Sequence, residues 1–191
     1  MQSQKVQVKI FSVGQSSVVG YAPVFQRWIR EHVLDELLID VVDYSHVADG
    51  PELALIGHES DYVLDRAEGK LGLLYSSKHV PESKDGSFQD AIRRAVNACL
   101  LLENENLTAA PLTFSSSELL LRIANRLAAP NTDATFERVA PALRGTLTRL
   151  YGNTPYTVER SGSPRELFSV KVQAPTAPPL RELLPRLGIA A

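Results

Sequence analysis

The stretch VQVKIF at residues 6–11 alternates in character along its length, which predicts a β-strand. A loop containing Gly and Ser follows at residues 14–20, and Pro23 then stands where a helix would begin. Proline suits that place because its missing N–H would have no partner within the helix. Two further strands are predicted at residues 37–42 and 53–56. The chain therefore opens with a strand–helix–strand–strand unit.

The far end of the chain repeats this order. Residues 118–123 place apolar side chains at alternate positions, and residues 136–150 carry an apolar stripe at helical spacing. Two short strands follow, at residues 156–158 and 167–172. The two ends thus look like distant copies of one unit, and a chance likeness between two mixed segments is the alternative.

The first element of the second copy has two interpretations. Leu, Arg and Ala favour helix, and Ser115 and Glu118 have the spacing of a capping box, so residues 118–127 are also compatible with a helix. If the segment is a strand, Asn125 interrupts its apolar parity and points toward the core, where it must be hydrogen-bonded. The sequence leaves this choice open.

The domain organisation follows from these units. We expect a single α+β domain over residues 1–173, with copy one at about 5–58 and copy two at about 118–173. Residues 60–104, between the copies, predict a β-hairpin and a helix. Residues 174–191 predict a Pro-rich linker and a short C-terminal helix.

The predicted C-terminal helix carries an apolar stripe. Four leucines recur at helical spacing: Leu180, Leu183, Leu184 and Leu187. We expect this stripe to dock on its own domain. Docking on another protein or on a second subunit, which would give a homo-oligomer through residues 180–187, is the alternative.

The predicted fold class is α+β, with a mainly antiparallel sheet packed against helices. Two copies related by a pseudo-twofold axis would place helices on one face and form a groove where the copies meet, a common place for small ligands. This layout is similar to that of gyrase-inhibitor-like effector-binding domains and haem-binding SOUL domains, both duplications of such a unit. The chain contains no motif of either family, so the resemblance implies a layout and no activity.

Composition narrows the function classes. Hydrophobic residues make up 44% of the 191 residues and charged residues 22%, which is typical of a globular protein. The net charge of −2 argues against general nucleic-acid binding, and no apolar run approaches membrane-spanning length. A lone Cys99 excludes an internal disulfide, and no signal peptide is visible, so we expect a cytoplasmic protein.

One polar cluster could support catalysis. His58 is followed by Glu59 and Asp61 where one predicted strand ends and the next begins. Asp40 lies opposite His58 in one antiparallel register and cannot reach it in the other. An imidazole oriented by Asp40 could serve as general base, with Glu59 or Asp61 as the partner acid. The alternative is a histidine satisfied by hydrogen bonds at a strand end, with the carboxylates in solvent.

Five residues are candidates for ligand binding: Trp28, Tyr44, Arg122, Asn125 and Arg126. Arginine suits planar, bidentate pairing with a carboxylate or phosphate, although a solvated, salt-bridged surface uses the same residues. Aromatic side chains at these spacings more often pack a core than line a pocket. No Cys/His cluster has zinc spacing, so no metal site is predicted, and no particular cofactor is indicated.

Three function hypotheses follow from the sequence. The favoured one is a non-enzymatic binding module that holds a small molecule or a partner protein at the groove between the repeats. The second is an enzyme that uses His58 with a nearby carboxylate as general base. The third is a structural or assembly protein that associates through its C-terminal tail.

Overall fold

The computed structural model describes residues 5–14, 17–47, 50–79, 87–105, 107 and 111–188. The strands are β1 (Val6–Ser12), β2 (Leu38–Asp43), β3 (Pro51–Gly57), β4 (Ser60–Asp65), β5 (Gly72–Ser77), β6 (Phe114–Ile123), β7 (Thr157–Ser161) and β8 (Phe168–Gln173). The α-helices are α1 (Tyr21–Glu31), α2 (Ser87–Glu103), α3 (Asp133–Tyr151) and α4 (Leu183–Arg186). Within the described ranges, no helix combines the length and apolar character needed to cross a bilayer.

The strands form one antiparallel sheet in the order β2-β3-β4-β5-β1-β6-β8-β7. The α+β prediction is therefore confirmed. The helix interpretation of residues 118–127 is wrong, because this segment begins within β6, which pairs with β1 on one side and β8 on the other. Ladder pairing on both sides overrides the helix propensity of its leucines.

The predicted duplication can be compared with the order of the elements and with the pairing of the strands. Both β1-α1-β2-β3 and β6-α3-β7-β8 occur in the expected order. In the second unit β8 pairs directly with β6, whereas in the first unit the hairpin β4-β5 lies between β3 and β1. The two units therefore have different strand neighbours, and the duplication stays a prediction.

The two faces of the sheet have different surroundings. On one face, Val8 of β1 lies in register with Tyr75 and Leu121, and all three belong to the core formed with the helices. The next row, through Lys9, forms the other face, which we call the open face. Phe11 is buried on the open face and lies outside that core cluster. Among the residues that the structure describes, the helices therefore pack against the face of the sheet that carries Val8.

Cys99 lies in α2 within the helix-covered core and is buried. Burial raises the pKa of its thiol well above the ordinary value, and the charge of the nearby Glu103 carboxylate acts in the same direction. The side chain therefore acts as a small apolar core residue, since the thiolate needed for nucleophilic chemistry is disfavoured.

The C-terminal tail docks on its own domain. Leu183 is fully buried, and α4 packs between α2 and α3. Ala174 N–H donates to Ser117 O over 2.8 Å, and Arg186 Nη1 donates to Leu150 O over 3.1 Å. The apolar stripe is thus occupied within the chain, and association of two copies through residues 180–187 stays a prediction that would require these leucines to leave the core.

Leu183→Ala tests the docked tail. We expect the free energy of unfolding to fall by about 2–5 kcal/mol, because a buried leucine leaves a cavity. Leu184→Ala is the matched control and should cost less, since Leu184 is only half-buried. Urea denaturation measures the cost, and size-exclusion chromatography measures the oligomeric state. A change of oligomeric state in Leu183→Ala at unchanged stability would contradict docking within the chain.

A buried glutamate just before β2 is hydrogen-bonded to the β3–β4 turn. The Glu36 side chain is 0% exposed and accepts hydrogen bonds from Ser60 N at 3.0 Å, Tyr62 Oη at 2.8 Å and the Ser60 hydroxyl. Burial raises the pKa of Tyr62 above its ordinary value, and the negative charge of Glu36 acts in the same direction. Gly57 leaves the room for this cluster, because a Cβ there would collide with Glu36 Oε2 and lie 2.7 Å from Ser60 O.

Gly57→Ala should lower the free energy of unfolding by about 1–3 kcal/mol, since backbone and a buried carboxylate cannot both move away from the added methyl group. Gly145→Ala is the matched control. Gly145 lies inside α3, and an added Cβ would meet no atom within 4 Å other than its chain neighbours and the backbone of its own helix, so that change should stabilise by about 0.4–1 kcal/mol. Equal effects in the two variants, measured by urea denaturation, would show that the Glu36 cluster does not constrain the turn.

Candidate functional site

A lysine lies buried at the centre of the open face. The Lys9 side chain is 0% exposed, and its ammonium group donates to Asp65 Oδ2 at 2.7 Å, Glu68 Oε2 at 2.8 Å and Ala67 O at 2.6 Å. A lysine ammonium has three N–H donors, and these three contacts use all of them. The charge is therefore both paired and fully hydrogen-bonded, as burial demands.

The segment between β4 and β5 provides these partners. It folds over the open face through a 3-10 turn at Ala67–Gly69, in which Glu68 adopts a left-handed conformation with φ of 67°. A non-glycine residue rarely holds this conformation without compensating contacts. Here the compensation is the carboxylate, which accepts from Lys9 with one oxygen and from Arg122 of β6 with the other.

The Glu68 carboxylate is ionised in this arrangement. Burial acts to raise its pKa, but the hydrogen bonds from Lys9 and Arg122 outweigh burial and lower the pKa below the ordinary value. Lys70 of the same segment pairs with Glu118 over 2.8 Å. The β4–β5 segment is thus tied by charge to both central strands, β1 and β6.

A pocket of about 320 Å³ opens beside this network. It is lined by five residues of the open face and the loop before β8: Glu68, Arg122, Glu166, Leu167 and Ser169. Arg122 and Ser169 lie opposite each other in the β6–β8 register, and the Arg122 side chain is 19% exposed. One guanidinium and two carboxylates therefore meet at a cavity that solvent can enter.

Two other pockets have less suitable positions. One of about 180 Å³ lies at the start of α1, where Asp43 and Glu52 carboxylates disfavour a phosphate at the helix N-terminus. The other, of about 430 Å³, lies between the end of α2 and the C-terminal tail, where the Glu103 carboxylate already accepts from Phe114 N over 2.6 Å. Neither lies on the open face near the contact of β1 with β6.

The residues predicted for general-base chemistry are not brought together. The β2–β3 register sets Asp40 opposite Ile56, while His58 N–H donates to Leu37 O over 2.7 Å. Asp40 accepts instead from the backbone N–H of Val41 over 2.8 Å. The orienting pair required by the catalytic hypothesis is therefore not formed.

The two acidic neighbours of His58 have their own partners. Glu59 Oε2 lies 3.2 Å from Arg94 Nη2, and Asp61 Oδ1 lies 2.7 Å from Lys78 Nζ. His58 itself is exposed, and its ring faces that of His79. Catalysis by His58 with a carboxylate stays a prediction without a supporting contact.

Of the five ligand-binding candidates, only Arg122 lines one of these pockets. Trp28 is buried, and its indole N–H donates to Glu105 Oε1 over 2.9 Å, so it belongs to the core. Tyr44 is half-buried and Arg126 is exposed. Asn125 does not lie on the core side, because β6 ends at Ile123; it is exposed and caps the following turn.

Lys9 tests the network on the open face. Lys9→Met leaves the Asp65 and Glu68 carboxylates without their shared cation, so the free energy of unfolding should fall by about 3–5 kcal/mol at neutral pH. Lys171→Met is the matched control, because Lys171 is exposed and lies two strands away from Lys9 in the same row of the sheet. This change should alter the free energy of unfolding by less than about 0.5 kcal/mol.

The difference in the free energy of unfolding between the wild type and Lys9→Met should become smaller as the pH falls toward 4. A lowered pKa of Glu68 stabilises the folded wild type above the unfolded-state pKa, and this stabilisation is lost as the pH drops through the folded-state pKa. In the variant, protonation instead relieves the repulsion between two carboxylates. Denaturation midpoints across this range measure the difference, and a deficit that stays constant with pH would contradict the network.

Comparison with known proteins adds no assignment. No protein-family model matches the chain, and no curated protein sequence matches it. The chemistry of the open face is therefore the basis for the function proposed below.

Proposed function

We propose that this protein is a non-enzymatic binding module that holds a small polar molecule in the pocket beside Arg122. The observation that carries the proposal is the meeting of one guanidinium, from Arg122, with the carboxylates of Glu68 and Glu166 around a cavity of about 320 Å³. Unlike charges at one cavity favour a ligand that itself carries an anionic and a cationic group, such as an amino-acid-like zwitterion.

The orientation of Arg122 supports this proposal. Glu68 accepts from Arg122 Nη2 and is itself held by Lys9, so the guanidinium is positioned before a ligand arrives. A guanidinium has five N–H donors, and the hydrogen bond from Nη2 to Glu68 uses one of them. The remaining donors can pair with a ligand carboxylate or phosphate, and a pre-oriented donor loses less conformational entropy on binding.

The second charge of the pocket lies on the loop before β8. Glu166 is exposed, and its carboxylate accepts from the Ser163 hydroxyl over 3.0 Å. This contact leaves acceptor capacity for a ligand ammonium, because a carboxylate has about four lone-pair sites. Arg122 and Glu166 would then hold the two ends of a zwitterion, with Leu167 against its apolar part.

The other hypotheses gain less support from the geometry. The catalytic hypothesis lacks the Asp40–His58 contact on which its general base depended. The assembly hypothesis relied on the tail leucines, which pack against α2 and α3 of the same chain. Binding at the open face requires no such rearrangement.

The experiment compares Arg122→Met with Arg126→Met. Native mass spectrometry of protein purified without added ligand is combined with thermal unfolding in the presence of a panel of L-amino acids, dicarboxylates and nucleotides. We expect a bound small molecule, or a rise in unfolding temperature with at least one compound, in the wild type and in Arg126→Met. Arg122→Met should lose it, because only Arg122 lines the pocket.

Three results would count against the proposal. One is the absence of any bound mass and of any thermal shift in the wild type. Another is equal loss of binding in both arginine variants. The third is a copurifying protein whose binding depends on Arg122, which would favour a protein partner at the same face.

A further inference from the structure

Two histidines lie opposite each other at one end of the paired strands β4 and β5. The β4–β5 register pairs Ser60 with Ser77, and Lys78 N–H donates to Glu59 O over 2.8 Å, which extends the pairing by one residue. The next opposed positions are His58 and His79. Their ring centroids lie 5.7 Å apart with an angle of 37° between the ring planes.

The backbone around this pair is fixed while both side chains are exposed. His58 N–H donates to Leu37 O over 2.7 Å, and Lys78 Nζ donates to Gly57 O over 2.7 Å. Gly57 is in turn packed against the buried Glu36 carboxylate. The two imidazoles therefore project from anchored positions into solvent, where small rotations of the side chains cost little.

This spacing suits two imidazoles that share one metal ion. Imidazole nitrogen binds Zn²⁺ at about 2.0–2.1 Å, so two rings on one tetrahedral ion have centroids about 5 Å apart. The observed separation of 5.7 Å is close enough for small side-chain rotations to close. Imidazole favours borderline-soft divalent ions such as Zn²⁺, Ni²⁺ and Cu²⁺ over Mg²⁺ and Ca²⁺.

The neighbouring carboxylates do not complete a larger site. Glu59 pairs with Arg94 and Asp61 pairs with Lys78. Within the part of the chain that the structure describes, no group of three or more His, Cys, Asp or Glu side chains could hold a metal ion. Any ion held by the two histidines would therefore keep open coordination positions for water.

We propose that His58 and His79 form a two-histidine site for a borderline-soft divalent transition-metal ion, with Zn²⁺ as the probe. Occupation of this site joins the turn between β3 and β4 to the end of β5. The ion thereby binds the folded chain in preference to the unfolded chain, and it stabilises the fold by mass action. The site is separate from the Arg122 pocket and does not depend on the function proposed for that pocket.

The test uses the full chain without a histidine tag, stripped with a chelator and titrated with ZnCl₂ in isothermal titration calorimetry. We expect one Zn²⁺ per chain and a rise in unfolding temperature that saturates with Zn²⁺ but not with Mg²⁺. His58→Ala and His79→Ala should each weaken the affinity for Zn²⁺ by about tenfold or more, since each removes one of two ligands. Both residues are exposed, so the metal-free variants should unfold at the wild-type temperature.

His46→Ala is the matched control, because His46 is exposed and lies in the loop after β2. It should bind Zn²⁺ as the wild type does. Binding that survives in both His58→Ala and His79→Ala, or that is lost equally in His46→Ala, would overturn the proposal. Absence of Zn²⁺ binding by the wild type would overturn it as well, and the exposed ring pair would then be an aromatic contact only.

Discussion

Burial of the Lys9 ammonium on the open face constrains the rest of this structure. A buried cation must keep every N–H bonded and its charge matched, so the segment between β4 and β5 has to fold over the sheet and bring Asp65 and Glu68 to it. Glu68 then stands where it can orient Arg122 of β6. One electrostatic requirement thus joins β1, the β4–β5 hairpin and β6, and it defines one wall of the candidate pocket.

The helix-covered face of the sheet has a different composition. There, helices bury apolar side chains, and the Glu36 carboxylate is enclosed in a cluster of hydrogen bonds. That cluster also fixes the turn that presents His58, because Gly57 and Ser60 both touch the Glu36 carboxylate. The helix-covered face therefore buries mainly apolar side chains, while the candidate pocket lies on the open face and the His58–His79 pair lies at the end of the β4–β5 strand pair.

Local patterns in the sequence predicted the elements well, since strand alternation and helical stripes depend on near neighbours. Local patterns did not predict the contacts that depend on pairing between strands far apart in the sequence. Lys9 has the parity of a solvent-facing residue, but the segment between β4 and β5 folds over it and pairs with its charge. Arg122 was identified from its chemistry alone, whereas its partner Glu68 was not, because the register of β1 with β5 and β6 is invisible in composition. For the same reason the sequence does not indicate that His79 is the neighbour of His58.

The central strand β1 is synthesised before both of its neighbours in the sheet, β5 and β6, which come much later in the chain. Val8 can pair with Tyr75 on one side and with Leu121 on the other only after those residues have been synthesised. Such long sequence separations raise the contact order, which slows folding and leaves a strand edge unprotected on the ribosome. A charge in the middle of an otherwise adhesive segment opposes aggregation during that delay. We therefore expect the lysine that is paired in the finished sheet also to oppose β-pairing of the nascent chain with other molecules.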